Sequence, residues 1–456
     1  MIKKIFAFTL ILSSTPTLLC ALDEDRITLT WYWNSEIGSH LDHLADTMKL
    51  YNNIQIKGSY EYSRHLSLFF NLKKFYDAVY DVSGRYDRGS HRTAKNTGNT
   101  WLREIFLDID YPRLFMRAGR QQVVWGSADG IRALDCINPG DGRYAYLDDA
   151  AEYRIPLWMM RLEARLSVDT TLQFLLIPDF EPAFSTSKGD VYVYRSTDLS
   201  AKRLQSIPSI IPITKHKRTP PDNLTHSTYA IRWQQVVRGW EYTLNYKYGF
   251  ESYPRGEGKF LLKDGWQPRF TLTLDYRTRI HLIGGSFSKA VNEGPLRGLT
   301  VRGELVYTLG KPFPYGDHGE VAGNTTMNTF TYIVGLDKIF FTDVLASAQF
   351  IQFVYPRTRS RDTDVFFPAT FAPLHRVETI VTLRVSTHFM AERLKPEFLM
   401  IYDGRNDWRI SPKVHYEIND HLWVYAGVHF FAGKANSLFG QFRNDSMLYV
   451  GQLISF

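Results

Sequence analysis

The chain has 456 residues, of which 44% are hydrophobic, 22% charged and 15% aromatic, with a formal net charge of +7 and two cysteines. So few cysteines exclude a disulfide-stapled scaffold, and basic residues scattered along the chain do not make the single patch of a nucleic-acid binder. No stretch reaches the ~18 consecutive apolar residues of a transmembrane helix.

The first residues, MIKK, are basic, and IFAFTLIL follows as a short apolar core before SSTPTLLCA. This pattern predicts a cleaved secretory signal over 1–21, leaving residues 22–456 as one domain. Cleavage there removes Lys3 and Lys4 and no acid, so the charge falls from +7 to +5. Cys136 is then the single remaining cysteine. Lipidation at Cys20 is the weaker reading, because Leu19 is bulkier than the usual Gly or Ala. An exported, aromatic-rich chain without a helical span has the composition of an outer-membrane β-barrel of a Gram-negative bacterium.

Beyond a weakly marked strand at 27–38, the SHLDHL stretch carries His40 and His43, read as solvated loop histidines because no partner acid stands at a metal-site spacing. Residues 101–125 alternate as a hairpin, with Arg113, Phe115, Arg117, Gly119 and Gln121 on one face. Charge facing lipid costs several kcal/mol near the midplane, so the arginine face is expected to point into a lumen. Residues 126–154 are rich in Gly, Asp, Pro and Asn and form a long loop holding Asp129, Asp135, Asp141, Asp148, Asp149 and Glu152. We expect it to fold inward, pair with lumenal arginines and narrow the pore. A solvated outer loop is the alternative, and a Ca²⁺ site is disfavoured by the missing EF-hand spacing.

Period-two alternation continues through MRLEARL (160–166), WEYTLNYKYGF (240–250), GLTVRGELVYTL (298–309) and RVETIVTLRVS (376–386). It places Arg161 with Glu163, Arg302 with Glu304 and Arg376 with Glu378 on the polar faces. The segment 201–221 reads first as a solvated flexible loop; its basic ends around SIIPI offer the alternative of contact with anionic lipopolysaccharide headgroups or a mouth that accepts amphipathic cargo. GGSFS (284–288) falls on a strand and is not the G-x-S-x-G elbow, so no nucleophile is assigned. His415 and His429 also fall on strands, and residue types alone do not make a triad.

Short turns are expected at 63–65, 110–113, 167–170, 237–239, 292–298, 341–344, 391–395 and 418–421. Longer loops fall at 39–46, 81–99, 126–154, 181–226, 251–278, 310–327, 356–375, 404–407 and 434–445. RFTLTLDYR (269–277) also alternates, but counting it breaks the short/long order. Placing it inside an outer loop gives an all-β transmembrane antiparallel barrel of about 18 strands, with 16 as the alternative. The final YVGQLISF places Tyr449, Gly451, Ile454 and Phe456 at the spacing of the C-terminal strand read by the barrel assembly machinery.

The ordered motifs Leu102-Arg103-Glu104, Gly119-Arg120-Gln121 with Trp125-Gly126 and Asp129-Gly130, Asp135 with Asn138-Pro139, Arg154 to Trp158, and Ile177 to Pro182 resemble the proteobacterial family catalogued as domain of unknown function 1302. Weaker echoes follow at 279–290 and 301–307. The resemblance implies an outer-membrane barrel and hints at hydrophobic or lipid-like cargo, with a periplasmic lipid-carrier-like protein and an inner-membrane exporter as partners. Outer-membrane lipid and lipopolysaccharide surround such a barrel, and no nucleic acid, metal or organic cofactor is implied.

The functional expectation is therefore a non-enzymatic channel or transport component for hydrophobic, lipid-like or amphipathic molecules. Its lumenal ladder would comprise Arg103, Arg117, Arg161, Glu163, Arg302, Glu304, Arg376 and Glu378, with the constriction at Arg120, Asp129 and Asp135. Alternatives are a general or anion-preferring porin, and a structural, adhesive or enzymatic barrel.

Overall fold

The computed structural model describes residues 26–86, 101–145, 147, 150–184, 186, 189–221, 223–263, 267–317, 320–360 and 363–456. The expected signal over 1–21 lies outside these, as do Asp148 and Asp149. Eighteen strands close a barrel. The first six are β1 (Ile27–His40), β2 (Thr47–Ser63), β3 (Leu66–Asp77), β4 (Leu102–Tyr111), β5 (Leu114–Gln121) and β6 (Leu157–Ser167). Next come β7 (Thr170–Ile177), β8 (Thr228–Val237), β9 (Trp240–Phe250), β10 (Arg279–Ala290), β11 (Leu299–Asp317) and β12 (Glu320–Phe340). The circuit ends with β13 (Val344–Val354), β14 (Val377–Ser386), β15 (Leu394–Asp403), β16 (Asp407–Asn419), β17 (Leu422–Ala432) and β18 (Met447–Ser455).

The alternation seen in the sequence becomes an inside and an outside. On β9, Tyr242, Leu244 and Tyr246 are exposed while Thr243, Asn245 and Lys247 are buried. Ile283 on β10, Leu305 on β11 and Val334 on β12 continue this apolar exterior. Polar side chains buried inside and greasy ones presented outside invert the soluble arrangement, and only a hydrocarbon surround makes that inversion favourable.

Closure comes from β18 lying antiparallel to β1, from Tyr32↔Ser455 to His40↔Met447. Phe456 seals the seam: it exchanges backbone hydrogen bonds with Trp31, and its ring stacks 4.6 Å from Trp31 and 4.7 Å from His421. No sheet edge is then left to hydrocarbon.

All eight expected short turns join strands at one end of the barrel, and the long connections gather at the other. RFTLTLDYR lies outside the barrel, as expected. Gln267–Asp275 pairs antiparallel with Arg255–Lys263 and parallel with Ile213–Arg218 in a separate three-stranded sheet. Three readings need correction. The expected loop 310–327 is mostly strand, because β11 and β12 continue as a paired hairpin to Asp317↔Glu320. The segment 201–221 contains the end of a helix, Arg195–Gln205, and the strand Ile213–Arg218. His40 is not a solvated loop residue; it ends β1 with 5% exposure, while His43 is exposed.

Loops roof the loop end. The Arg195 amide donates to Gln441 Oε1 at 2.9 Å and the Ser196 amide to the Ala369 carbonyl at 3.2 Å, above buried Tyr192, Phe439 and Phe442.

Candidate functional site

After Gln121 the chain leaves the wall and crosses the lumen. Gln121 is fully buried and donates to the Met159 carbonyl at 3.1 Å. Asn138 ties the outgoing and returning legs together. Its Oδ1 accepts the Val123 amide at 2.8 Å, and its Nδ2 donates to the carbonyls of Gln121 (3.3 Å) and Ile155 (2.9 Å). The Trp125 indole donates to Gln173 of β7 at 2.7 Å. Val123, Trp125, Leu134 and Ile137 then bury themselves against wall residues of β6, β7, β8, β10 and β11, among them Met159, Leu175 and Val306. This contact is close: a Cβ on Gly284 would lie 2.6 Å from Leu134, so the first glycine of GGSFS serves packing.

A polar anchor on β11 holds the other side. Glu304 is 2% exposed, and its carboxylate accepts the backbone N–H groups of Ser127 (2.6 Å), Ala128 (3.1 Å) and Leu134 (3.1 Å). Buried carboxylates persist when charge-assisted hydrogen bonds replace water, and three amides do so here. The fit requires Gly126, where a Cβ would stand 2.9 Å from the Asp135 nitrogen and 3.1 Å from Glu304. Arg302 binds Asp337 at 2.7 Å and also reaches Asp129 and the Ser127 carbonyl. Asp129 further accepts from Gln349 Nε2 (2.7 Å) and Ser347 Oγ (3.1 Å), and lies 3.6 Å from Arg384.

The returning leg is fastened in the same manner. Asp135 Oδ2 accepts from Arg132 and Arg154, both at 2.8 Å. Lys247 of β9 donates to the Cys136 carbonyl at 2.6 Å, and burial pushes the Cys136 thiol up to about 11. Arg103 donates to the carbonyls of Ala151 (2.6 Å), Glu152 (3.4 Å) and Arg154 (3.3 Å), while Lys73 pairs with the Glu152 carboxylate. On the same wall the Tyr144 hydroxyl donates to Asp77 of β3 at 2.6 Å, and Lys49 of β2 lies 4.4 Å over the Tyr144 ring.

Beside the docked loop remains a cavity of about 1890 Å³. Its lining reaches from Asn324 and Pro314 near the loop end to Trp423, Leu453 and Ser455 near the turn end. Of the residues expected to line or constrict a pore, Arg103, Arg120, Asp129, Asp135, Glu304 and Glu378 border it. Arg120 donates to the Arg103 carbonyl at 3.1 Å and lies 3.8 Å from Glu181. Arg117, Arg161 and Glu163 form a separate group: Arg117 makes a two-pronged pair with Asp108 (2.7 Å each), and Arg161 binds Glu163 at 2.5 Å. Glu163 accepts from Gln173, linking that group to Trp125. Arg376 is exposed just ahead of β14, and Glu378 instead faces Arg405 at 3.3 Å. His415 and His429 border the cavity. His429 is buried, with Nδ1 3.1 Å from Ser411 Oγ and its ring stacked 4.8 Å from Tyr449. Tyr449 is buried on the cavity side of β18, and Gly451 and Ile454 continue that strand.

Sequence reading did not single out Gln349, Ser347, Lys73, Lys247 or the Tyr144–Asp77 contact. All but Tyr144 lie on polar strand faces, where alternation gives the side of the sheet but not the partner. One signal was available for the other fastenings of the loop: the family-like motifs between 102 and 158 supply them, from Arg103 through Gln121, Trp125, Gly126, Asp129, Asp135 and Asn138 to Arg154.

A closed antiparallel barrel with an apolar exterior, its lumen crossed by one of its own loops, defines the molecule as a transmembrane β-barrel. The chain belongs to the family described as Protein of unknown function (DUF1302), whose model matches residues 39–364. A search of curated proteins finds no match. Among solved structures, the chain is similar to Acinetobacter baumannii OccAB3, with 8% identity, 94% of this chain and 98% of that chain covered, and a TM-score of 0.49. It is also similar to Salmonella typhi OmpF in complex with daunomycin (10% identity, 94% and 97% covered, TM-score 0.44) and to a multiply substituted mutant of the Rh. blastica porin (12% identity, 94% and 100% covered, TM-score 0.40). The fold assignment rests on the strand pairing rather than on these likenesses.

Proposed function

We propose that the chain is a non-enzymatic channel of the bacterial outer membrane that admits small amphipathic or hydrophobic molecules past the docked loop 126–154. The observation that carries this reading is the cavity beside the loop, which extends along the barrel from the loop end toward the turn end. Its lining mixes rings such as Tyr32, Tyr51, Tyr425 and Trp423 with charged side chains such as Glu36, Lys57, Arg384 and Lys413. Such a wall offers apolar surface and ionic contacts together, which suits a solute carrying both. The expected partners follow from this reading: lipopolysaccharide outside, the assembly machinery during insertion, and a periplasmic carrier if the cargo is lipid-like.

A second reading, an anion-preferring porin, is favoured by the balance of 15 Lys and Arg against 11 Asp and Glu in the lining. Planar-bilayer recording separates the two. Large, steady anion currents support the porin, and near-silence with lipid retained in the lumen by mass spectrometry supports the hydrophobic carrier. Deleting 127–150 should raise conductance severalfold, and unchanged conductance would refute the loop as the constriction.

A further inference from the structure

Three cations surround one loop carboxylate on the β2–β4 wall. Lys57 and Lys73 stand diagonally on neighbouring strands, since Lys57 pairs with Asn71 and Lys73 with Gln55. Side chains so placed lie about 7–8 Å apart at their bases. Arg103 occupies the irregularity where β3 pairs Asn71 with Glu104 but Leu72 with Leu102, which brings it to the same lumenal side. Into this group the loop inserts Glu152. Lys73 pairs with its carboxylate, and Arg103 stands 4.0 Å away. Burial opposes the Glu152 charge, but Lys73, Arg103 and Lys57 outweigh it and hold the carboxyl below its ordinary range. On the same wall Lys57 stacks 5.0 Å over the Tyr32 ring, an apolar surface lining the cavity.

We infer that Lys57, Lys73 and Arg103 form a binding site for the carboxylate of an amphipathic anion, with Tyr32 taking its apolar body, and that Glu152 of the inward loop occupies this site until such a ligand displaces it. The site deepens the channel reading and rests on it for the route by which the ligand arrives. The chemistry is competitive: both carboxylates accept from the same ammonium and guanidinium donors, and a tethered competitor lowers apparent affinity by the fraction of time the site is vacant. Arg103 also explains how occupancy reaches the loop, because its other contacts are the carbonyls of 151, 152 and 154.

The test uses the full chain in detergent, with phenylacetate as anionic probe and phenylacetamide as its neutral counterpart, titrated by calorimetry. Glu152→Gln empties the site of its internal charge and should bind phenylacetate about tenfold more tightly than wild type. Glu152→Asp, which keeps the charge, should stay near wild type. Lys57→Gln/Lys73→Gln should bind neither probe, and phenylacetamide should bind no variant. Equal phenylacetate affinity in wild type, Glu152→Gln and the lysine double variant would overturn the proposal. Uptake of phenylacetate into liposomes carrying the same preparations keeps the two readings apart. Flat affinities with normal uptake defeat the site and leave the channel; the expected affinities without uptake defeat the channel and leave the site.

Discussion

Replacing Glu304 with alanine removes the acceptor for three backbone N–H groups, those of Ser127, Ala128 and Leu134. A buried donor without a partner costs roughly 1–3 kcal/mol, and water entering the vacated space recovers part of it. Taking the low end for each amide gives about 3 kcal/mol against the docked loop. The barrel itself should stand, because β11 keeps its ladders with β10 and β12 on either side of position 304. The cost is therefore local, and the opening of 126–135 should become about a hundredfold more frequent. Hydrogen–deuterium exchange read at these three amides should speed up by that factor, while amides of β11 and β12 do not change. Glu304→Gln keeps Oε1 for Ser127 and Ala128 but turns an amide toward the Leu134 N–H, so it should fall between wild type and alanine. Unchanged exchange at 127, 128 and 134 in the alanine variant would refute the account of Glu304 as the loop's anchor.

Two further outcomes follow. Gly126→Ala forces a methyl to within 2.9 Å of the Asp135 backbone nitrogen, so it should loosen the same loop by about 1–3 kcal/mol and raise exchange at Ser127 with all hydrogen-bonding groups intact. In the loop after β17, burial pushes the Asp445 carboxyl up to about 6 against the opposing effect of Arg85. The folded protein then holds a proton that the unfolded chain releases near pH 4, so the contribution of this carboxyl to stability is greatest below pH 4 and is lost as pH rises through 6. Asp445→Asn should flatten that part of the unfolding profile, measured by heat-dependent gel mobility from pH 4 to 7.

The sequence by itself determined the face of each strand, the alternation of turns and loops, and the family. These properties are written locally: a period of two assigns every side chain to one side of a sheet, and parity of the connections decided that 269–277 lies outside the barrel. The same reasoning correctly placed Arg302 and Glu304 on one polar face. It gave them one role, as members of a charged ladder, where the structure gives them two. Arg302 meets Asp129, 173 residues away in the chain, and Glu304 meets backbone amides rather than a cation.

Only the tertiary structure decided such partners, because height and position around a barrel depend on the registers of all the intervening strands. The same dependence moved Arg376 to the rim and buried His40. Loops were the least legible part. Residues 310–327 and 201–221 carry the Pro, Gly and basic residues of a connection, yet they extend a hairpin and supply the third strand of a small sheet. Their pairing partners lie in distant segments, so no local pattern specifies them. The inward path of 126–154 is decided in the same way, by side chains on strands β2 to β14 that converge on one loop only once the barrel has closed.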